Sequence, residues 1–231
     1  MGKSIIQQAR GHGSLTYRVR RQAYKFRLGY PIMEGKGKII GLLNSSGHSA
    51  PLMKVRANDK VFYSPAFKTA YEGQEISIGG TNTGMGSIVS LKEIPIGSKV
   101  FSIENRFGDG GKMIRTSGSS AIITKKQNSM VGLSMPSRKE IFMDENCRAI
   151  IGEIAAGGRL DKPIIKAGKM HHMMKSRNKF WPRTSAVKTN AIDHPFGSGR
   201  GKRIKSKIAK RNAPAGARVG LLRPRRTGRK K

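Results

Sequence analysis

Between Lys36 and Ile154 the apolar positions come in short runs, and each run stops at residues that favour turns. The first set is Lys38–Leu43, Leu52–Arg56, Lys60–Tyr63 and Glu75–Ile78. It is broken at Asn44-Ser45-Ser46-Gly47, at Asn58-Asp59 and at Glu72-Gly73. Runs this short with such punctuation predict antiparallel strands of a small barrel. Residues 36–83 have the length of an open five-stranded barrel such as an OB-fold. Gly79-Gly80-Thr81-Asn82-Thr83-Gly84 reads as a linker. A second set follows: Ser87–Leu91, Lys99–Ile103, Ala121–Thr124, Met130–Leu133, Glu140–Met143 and Ala149–Ile154. Turn signals at Pro95-Ile96-Gly97, Phe107–Gly111, Met135-Pro136-Ser137 and Asp144-Glu145-Asn146 separate several of them. Residues 84–161 therefore predict a second β-barrel, and neither set carries a long amphipathic helix. The expected class is mainly β.

The flanks lack this texture. Residues 1–35 are basic and irregular, and past Asp161 Gly, Pro and cations alternate without a period. One short helix is predicted at Lys202–Arg211, where Ile204 and Ile208 sit a turn apart. The rest of 162–231 is expected to be extended and ordered only against a partner.

Charge decides what that partner is. The chain of 231 residues carries 46 Lys and Arg against 13 Asp and Glu, a net +33. Residues 162–231 hold 22 of the cations and one acid, Asp193. Residues 1–83 contribute +9, and 84–161 only +3. Packing so many like charges costs self-repulsion that a polyanion removes. Nucleic acid is the partner this implies, with phosphate neutralisation as the main driving force. The tail lacks the broad apolar face of a lipid-binding helix, no apolar run approaches a membrane span, and no signal-peptide core follows Met1, so no membrane partner is expected. The single cysteine, Cys147, rules out an internal disulfide framework and is expected in the core.

Catalytic and cofactor signatures fail one by one. A phosphate-cradling loop needs Gly five residues before a Gly-Lys pair. Arg106, Pro163 and Phe196 stand there instead, before Gly111-Lys112, Gly168-Lys169 and Gly201-Lys202. No hydrolase elbow follows a strand. His171-His172 are adjacent and have no acidic partner, so no metal, cofactor or small-molecule substrate is expected.

Several stretches carry RNA-binding chemistry instead. Arg18, Arg20, Arg21, Lys25 and Arg27 alternate with Tyr17, Tyr24 and Phe26, which suits phosphates and exposed bases together. Arg106–Ser120 places Gly108, Gly110, Gly111 and Gly118 around Lys112 and Arg115, so backbone amides and two cations can meet an RNA strand. Gly157-Gly158-Arg159 leads into Lys162, Lys166 and Lys169, and then His171 and Arg177. The last stretch holds the only tryptophan, Trp181, with Arg183, His194, Arg200, Lys202 and Arg203. His194 lies between Asp193 and Pro195, and a histidine with no second catalytic group in its neighbourhood is a hydrogen bonder rather than an acid–base catalyst.

Taken in order, these motifs resemble the large-subunit ribosomal protein L-two family in its archaeal and eukaryotic-like form. The resemblance runs through Gly2-Lys3, Gln7-Gln8-Ala9-Arg10-Gly11 and Tyr71-Glu72-Gly73-Gln74-Glu75-Ile76. It continues through Gly110-Gly111-Lys112-Met113-Ile114-Arg115, Cys147-Arg148-Ala149-Ile150-Ile151-Gly152, Gly157-Gly158-Arg159 and Lys162-Pro163. Lys166-Ala167-Gly168-Lys169, Trp181-Pro182 and Asp193-His194-Pro195 complete it. The resemblance implies an OB-fold followed by an SH3-like barrel, with extended basic segments at 1–35 and 162–231. It implies a non-enzymatic, cytoplasmic constituent of the large ribosomal subunit. Its partners would be large-subunit ribosomal RNA, neighbouring ribosomal proteins and small-subunit ribosomal RNA at the subunit interface. Its tail would support the peptidyl transferase region, subunit association and transfer RNA binding, with His194 at the position of the family's histidine near that centre. The competing reading is a nonribosomal RNA chaperone of two barrels and a basic tail. The chain departs from the family in two places. Phe196-Gly197-Ser198-Gly199 stands for a second His and three glycines, and Thr189-Asn190-Ala191 for Met-Asn-Pro. The loop's backbone role carries over through Gly197 and Gly199; a role for a second imidazole is left without its residue.

Overall fold

The computed structural model describes residues 3–197, 208–209, 212, 214 and 216–222. The chain divides into two compact units, residues 20–169 and residues 1–19 with 170–231. The protein is mainly β.

The first unit holds ten strands. β1 (Gly35–Leu43), β2 (Leu52–Ala57), β3 (Lys60–Pro65) and β4 (Glu75–Ile78) come from the first apolar set. β5 (Ile88–Ser90), β6 (Lys99–Phe101), β7 (Ala121–Gln127), β8 (Met130–Ser134), β9 (Glu140–Asp144) and β10 (Arg148–Ile151) come from the second. Each predicted run contains or overlaps one of them. Asn58-Asp59 closes the β2–β3 hairpin between Ala57 and Lys60, with Asn58 in left-handed backbone at φ 50°. Two-residue hairpin loops demand that conformation, and Asn tolerates it.

All ten strands join one sheet in the order β3-β2-β1-β4-β5-β10-β6-β7-β8-β9. The neighbours run antiparallel except β4 and β5, which pair in parallel at Ile78 and Ile88. The expected linker at 79–84 is the turn that makes this pairing: Gly79 N–H donates to the Ile88 carbonyl at 2.8 Å. Two hydrophobic cores flank the central strands. One gathers Ile39, Val55, Phe67, Ile78, Ile88, Phe101 and Ile150. The other gathers Val89, Val100, Ile123, Leu133, Cys147, Ala149 and Ile151. Side chains alternate across a strand. Ile88 and Val89, Phe101 and Val100, and Ile150 and Ile151 therefore point to opposite cores. These strands are buried on both faces, so they read as continuous apolar runs rather than as an alternation.

Among the described residues two α-helices fall in the flanks, where the sequence predicts irregular chain. α1 (Ile6–Gly11) is a short turn whose start is capped by Gln8, its Oε1 accepting from the Ile5 N–H at 3.0 Å. α2 (Ala167–Ser176) is built from good helix formers, two Lys and three Met after Ala167, and one Gly does not outweigh them. At the predicted helix 202–211, Ile208–Ala209 form a short strand, β11, paired in parallel with β12 (Leu221–Leu222). Residues 202–207 lie outside the described residues. A pair of isoleucines one turn apart is a weak helix signal when nothing caps it.

Ile150 is fully buried in the central strand β10. Ile150→Ala should cost about 2–5 kcal/mol, the range for large-to-small core changes. Urea unfolding of the full chain measures it. Ile40→Ala, on the exposed side of β1, should change stability far less.

Candidate nucleic-acid interface

The glycine-rich stretch 106–118 is fastened from beneath by a buried ion pair. Glu104 follows β6 and is fully buried; the Arg148 side chain, which opens β10, is 8% exposed. The guanidinium meets the carboxylate through two bonds, Nη2 to Oε1 at 2.7 Å and Nε to Oε2 at 3.2 Å. The same carboxylate accepts from the Gly110 N–H at 3.2 Å and the Arg148 N–H at 2.9 Å. Arg148 Nη1 donates to the Pro31 carbonyl at 2.9 Å, and the guanidinium lies 5.0 Å from the Tyr30 ring centre. Tyr30 Oη donates between two carbonyls, Ser102 at 2.8 Å and Arg148 at 3.0 Å. Burial pushes the Tyr30 phenol well above its ordinary value of 10.0, and the Glu104 charge adds to the effect.

This network locks the 29–31 segment and the glycine loop together. The Tyr30 N–H reaches the Gly110 carbonyl at 3.4 Å. Gly111 sits at φ 74°, and a Cβ there would lie 2.1 Å from the Ser102 carbonyl oxygen, so only glycine fits. Asp109 folds its carboxylate back onto the loop, accepting from the Asn105 N–H at 3.1 Å and the Gly111 N–H at 3.0 Å. Arg115 Nε and Nη2 both donate to the Gly111 carbonyl, the former at 2.7 Å. Burial lowers its guanidinium from the ordinary value, while Asp109 pulls the other way. Lys112 is exposed, with a loose 3.8 Å contact to Asp109.

The far end of the loop meets the 157–159 turn. Gly118 N–H donates to the Ile154 carbonyl at 3.0 Å, and Arg159 Nε donates to Ser117 Oγ at 2.8 Å. Two stretches that are separate in sequence, 106–118 and 157–159, thus form one cationic surface with the 20–31 segment. Arg20 and Arg21 are exposed on that segment. Lys162, Lys166 and Lys169 follow the turn, all exposed. Between the segment and the loop lies an open cleft of about 1130 Å³. Tyr24, Phe26, Tyr63, Arg27, Lys60 and Lys112 line it, with Arg115 and His48. Lys60 and His48 carry no sequence signal for this role, because only the β2–β3 hairpin and the turn at 44–48 bring them to the segment.

Arg18 Nε donates to the Gly13 carbonyl at 2.8 Å. His171 is exposed on α2, its ring 5.6 Å from that of His172; Arg177 and Trp181 are half-buried and Arg183 is exposed. The loop at 190–197 is held by hydrogen bonds from the Asp193 N–H to the Asn190 carbonyl at 3.0 Å and from the Lys3 N–H to the Ile192 carbonyl at 2.9 Å. Gly197 packs so closely that a Cβ would lie 2.2 Å from the Asn190 oxygen. His194 Nδ1 accepts from the Phe196 N–H at 3.0 Å, and the Phe196 ring lies 5.0 Å from the imidazole. An Nδ1 that accepts leaves Nε2 to carry the ring proton. Arg200, Lys202 and Arg203 lie outside the described residues. Among the described residues no helix is long and apolar enough to cross a membrane, and no group of three or more His, Cys, Asp or Glu could hold a metal ion.

A mainly β protein with an exposed cationic and aromatic cleft is what fold and site define together. Comparison with known proteins places it more narrowly. Residues 84–216 match the family model described as Ribosomal Proteins L2, C-terminal domain. The chain is 41% identical over 237 aligned residues to Large ribosomal subunit protein uL2 of Archaeoglobus fulgidus, covering 99% of each chain. It is 38% identical over 235 to the protein of the same name from Sulfolobus acidocaldarius, covering 100% of this chain and 99% of the other. The chain belongs to the uL2 family of large ribosomal subunit proteins.

The buried Tyr30 phenol sets an alkaline limit on the fold. The unfolded chain releases that proton near the ordinary value of 10.0, and the folded chain releases it only higher. Stability from this group is therefore complete below about pH 10 and falls as pH rises between the two values. Unfolding followed from pH 8 to pH 11 should show this loss, with a shallower slope in Tyr30→Phe.

Proposed function

We propose that this chain is a structural constituent of the large ribosomal subunit and acts, without catalysis, by binding large-subunit ribosomal RNA. One observation carries the reading. The 20–31 segment, the glycine loop with Lys112 and Arg115, and the Arg159 turn are joined by hydrogen bonds into one cationic surface. A rigid surface of this kind meets phosphates without ordering cost, and its aromatics are free for bases. Within this reading residues 36–83 form an OB-fold-like barrel and 84–161 an SH3-like barrel. Residues 1–35 and 162–231 are the basic segments that follow RNA into the subunit. Neighbouring ribosomal proteins and small-subunit RNA are the further partners, in ribosomes of the cytoplasm. The tail supports the peptidyl transferase region, subunit association and transfer RNA binding.

The alternative, a free RNA chaperone, makes a different prediction in the cell. Tagged protein should cosediment with large subunits and stay bound through a moderate salt wash. Free exchange with the soluble pool would favour the chaperone. On isolated RNA the salt response should be steep. With ten tail cations on phosphates, log K falls with log salt at a slope of about −7 to −9.

His194 has a positioning role in this proposal. Phe196 N–H occupies Nδ1, so the ring offers one outward donor at Nε2. No second group able to shuttle a proton touches it among the described contacts. His194→Gln in assembled ribosomes should leave the pH profile of single-turnover peptide transfer unchanged and impair assembly or transfer RNA binding mildly. Loss of a titration near neutral pH would assign the ring a proton-transfer role instead.

A further inference from the structure

The cleft beside the glycine loop is lined by aromatic rings that a duplex offers nothing to stack on. An A-form helix offers a convex surface of phosphates and 2′-hydroxyls, and its base faces are stacked out of reach. This cleft is concave and aromatic, with its cations at the rim. Phe26 and Tyr63 pack on each other at 5.0 Å between ring centres, which fastens the segment to β3. Tyr24 is different. Its ring meets that of His48 at 78° with 5.4 Å between centres, yet the residue stays 51% exposed. The packing that anchors the segment does not use up this ring.

The polar groups around it are arranged for a single anionic ligand with a planar face. Asp109 has both carboxylate oxygens committed to loop amides, so its charge is already engaged. Lys112 holds it only loosely, at 3.8 Å and largely exposed, a contact that a phosphate readily replaces. Arg27 and Lys60 are exposed at the same rim. His48 is kept as a neutral neighbour, its pKa lowered by burial and then by Arg115. The cleft is open and, at about 1130 Å³, has more than enough room for one nucleotide.

We propose that this cleft receives one unpaired, looped-out nucleotide, with its base stacked on the Tyr24 ring and its phosphate held by Lys112 and Arg27. The inference rests on the RNA-binding reading above and adds to it a preference for RNA with an extruded base.

Two hairpin RNAs test it, one fully paired and one identical but for a single unpaired 2-aminopurine. The full-length protein should bind the second about 5- to 150-fold more tightly, the range that base–aromatic stacking provides. It should also quench the 2-aminopurine fluorescence. The basic tail contributes to both complexes alike and cancels in the ratio. Tyr24→Phe should keep the preference. Tyr24→Leu, which retains apolar bulk against His48, should abolish both the preference and the quenching. Lys112→Ala with Arg27→Ala should weaken both RNAs. Equal binding of the two hairpins, or a preference that survives Tyr24→Leu, overturns the proposal and leaves the RNA-binding reading standing. Failure to bind either hairpin overturns that reading as well.

Discussion

The interface depends on one buried ion pair. Glu104 and Arg148 sit where the second half of the sheet meets the glycine loop, and both are removed from water. Taking two charges out of water costs several kcal/mol each, and the pair offsets this only if every polar atom is used. Here nearly every one is. Glu104 accepts from the Arg148 guanidinium, the Arg148 amide and the Gly110 amide, and Arg148 also reaches Pro31 and covers the Tyr30 ring. The pair is therefore less a source of net stability than a device of position. It specifies where the loop backbone and the 29–31 segment lie relative to the core.

That position is useful because the core beneath it is rigid. β5, β6 and β10 each serve two hydrophobic cores, one on each face. A strand enclosed on both sides cannot slip its register without exposing an apolar row. Arg148 opens such a strand, and Glu104 follows another. The charged network thus inherits the rigidity of the interior. A loop backbone held this way has little conformational freedom left to lose.

The charge distribution has the same logic. Residues 84–161 carry 8 of the 13 acids, and several of these are spent inside the protein. Glu104 pairs with Arg148, Asp109 braces the glycine loop, and Glu153 meets Lys99 at 2.9 Å. The acids brace the scaffold, and Arg20, Arg21, Arg27, Lys60 and Lys112 remain exposed at the surface. Membership of a large-subunit ribosomal family fits this division, since the surrounding medium there is polyanionic.

Sequence alone determined the ten strands of the large sheet. Short apolar runs between Asn, Asp and Gly turns located all ten, because period and punctuation are local properties. It also determined the charge, which pointed to a polyanionic partner. The motifs at 106–120, 157–169 and 181–200 were legible as places where glycine and cations meet. Sequence could not show that 79–84 turns the chain back so that Ile78 pairs with Ile88 and one sheet forms. It missed α2, whose short apolar stripe of Met170, Met173 and Met174 follows a Gly and lies among cations and histidines. It could not assign Lys60 and His48 to the cleft, nor Glu104 to Arg148, 44 residues away. Those are long-range pairings. They are decided by which faces the folded sheet buries, and no local pattern in the chain encodes that.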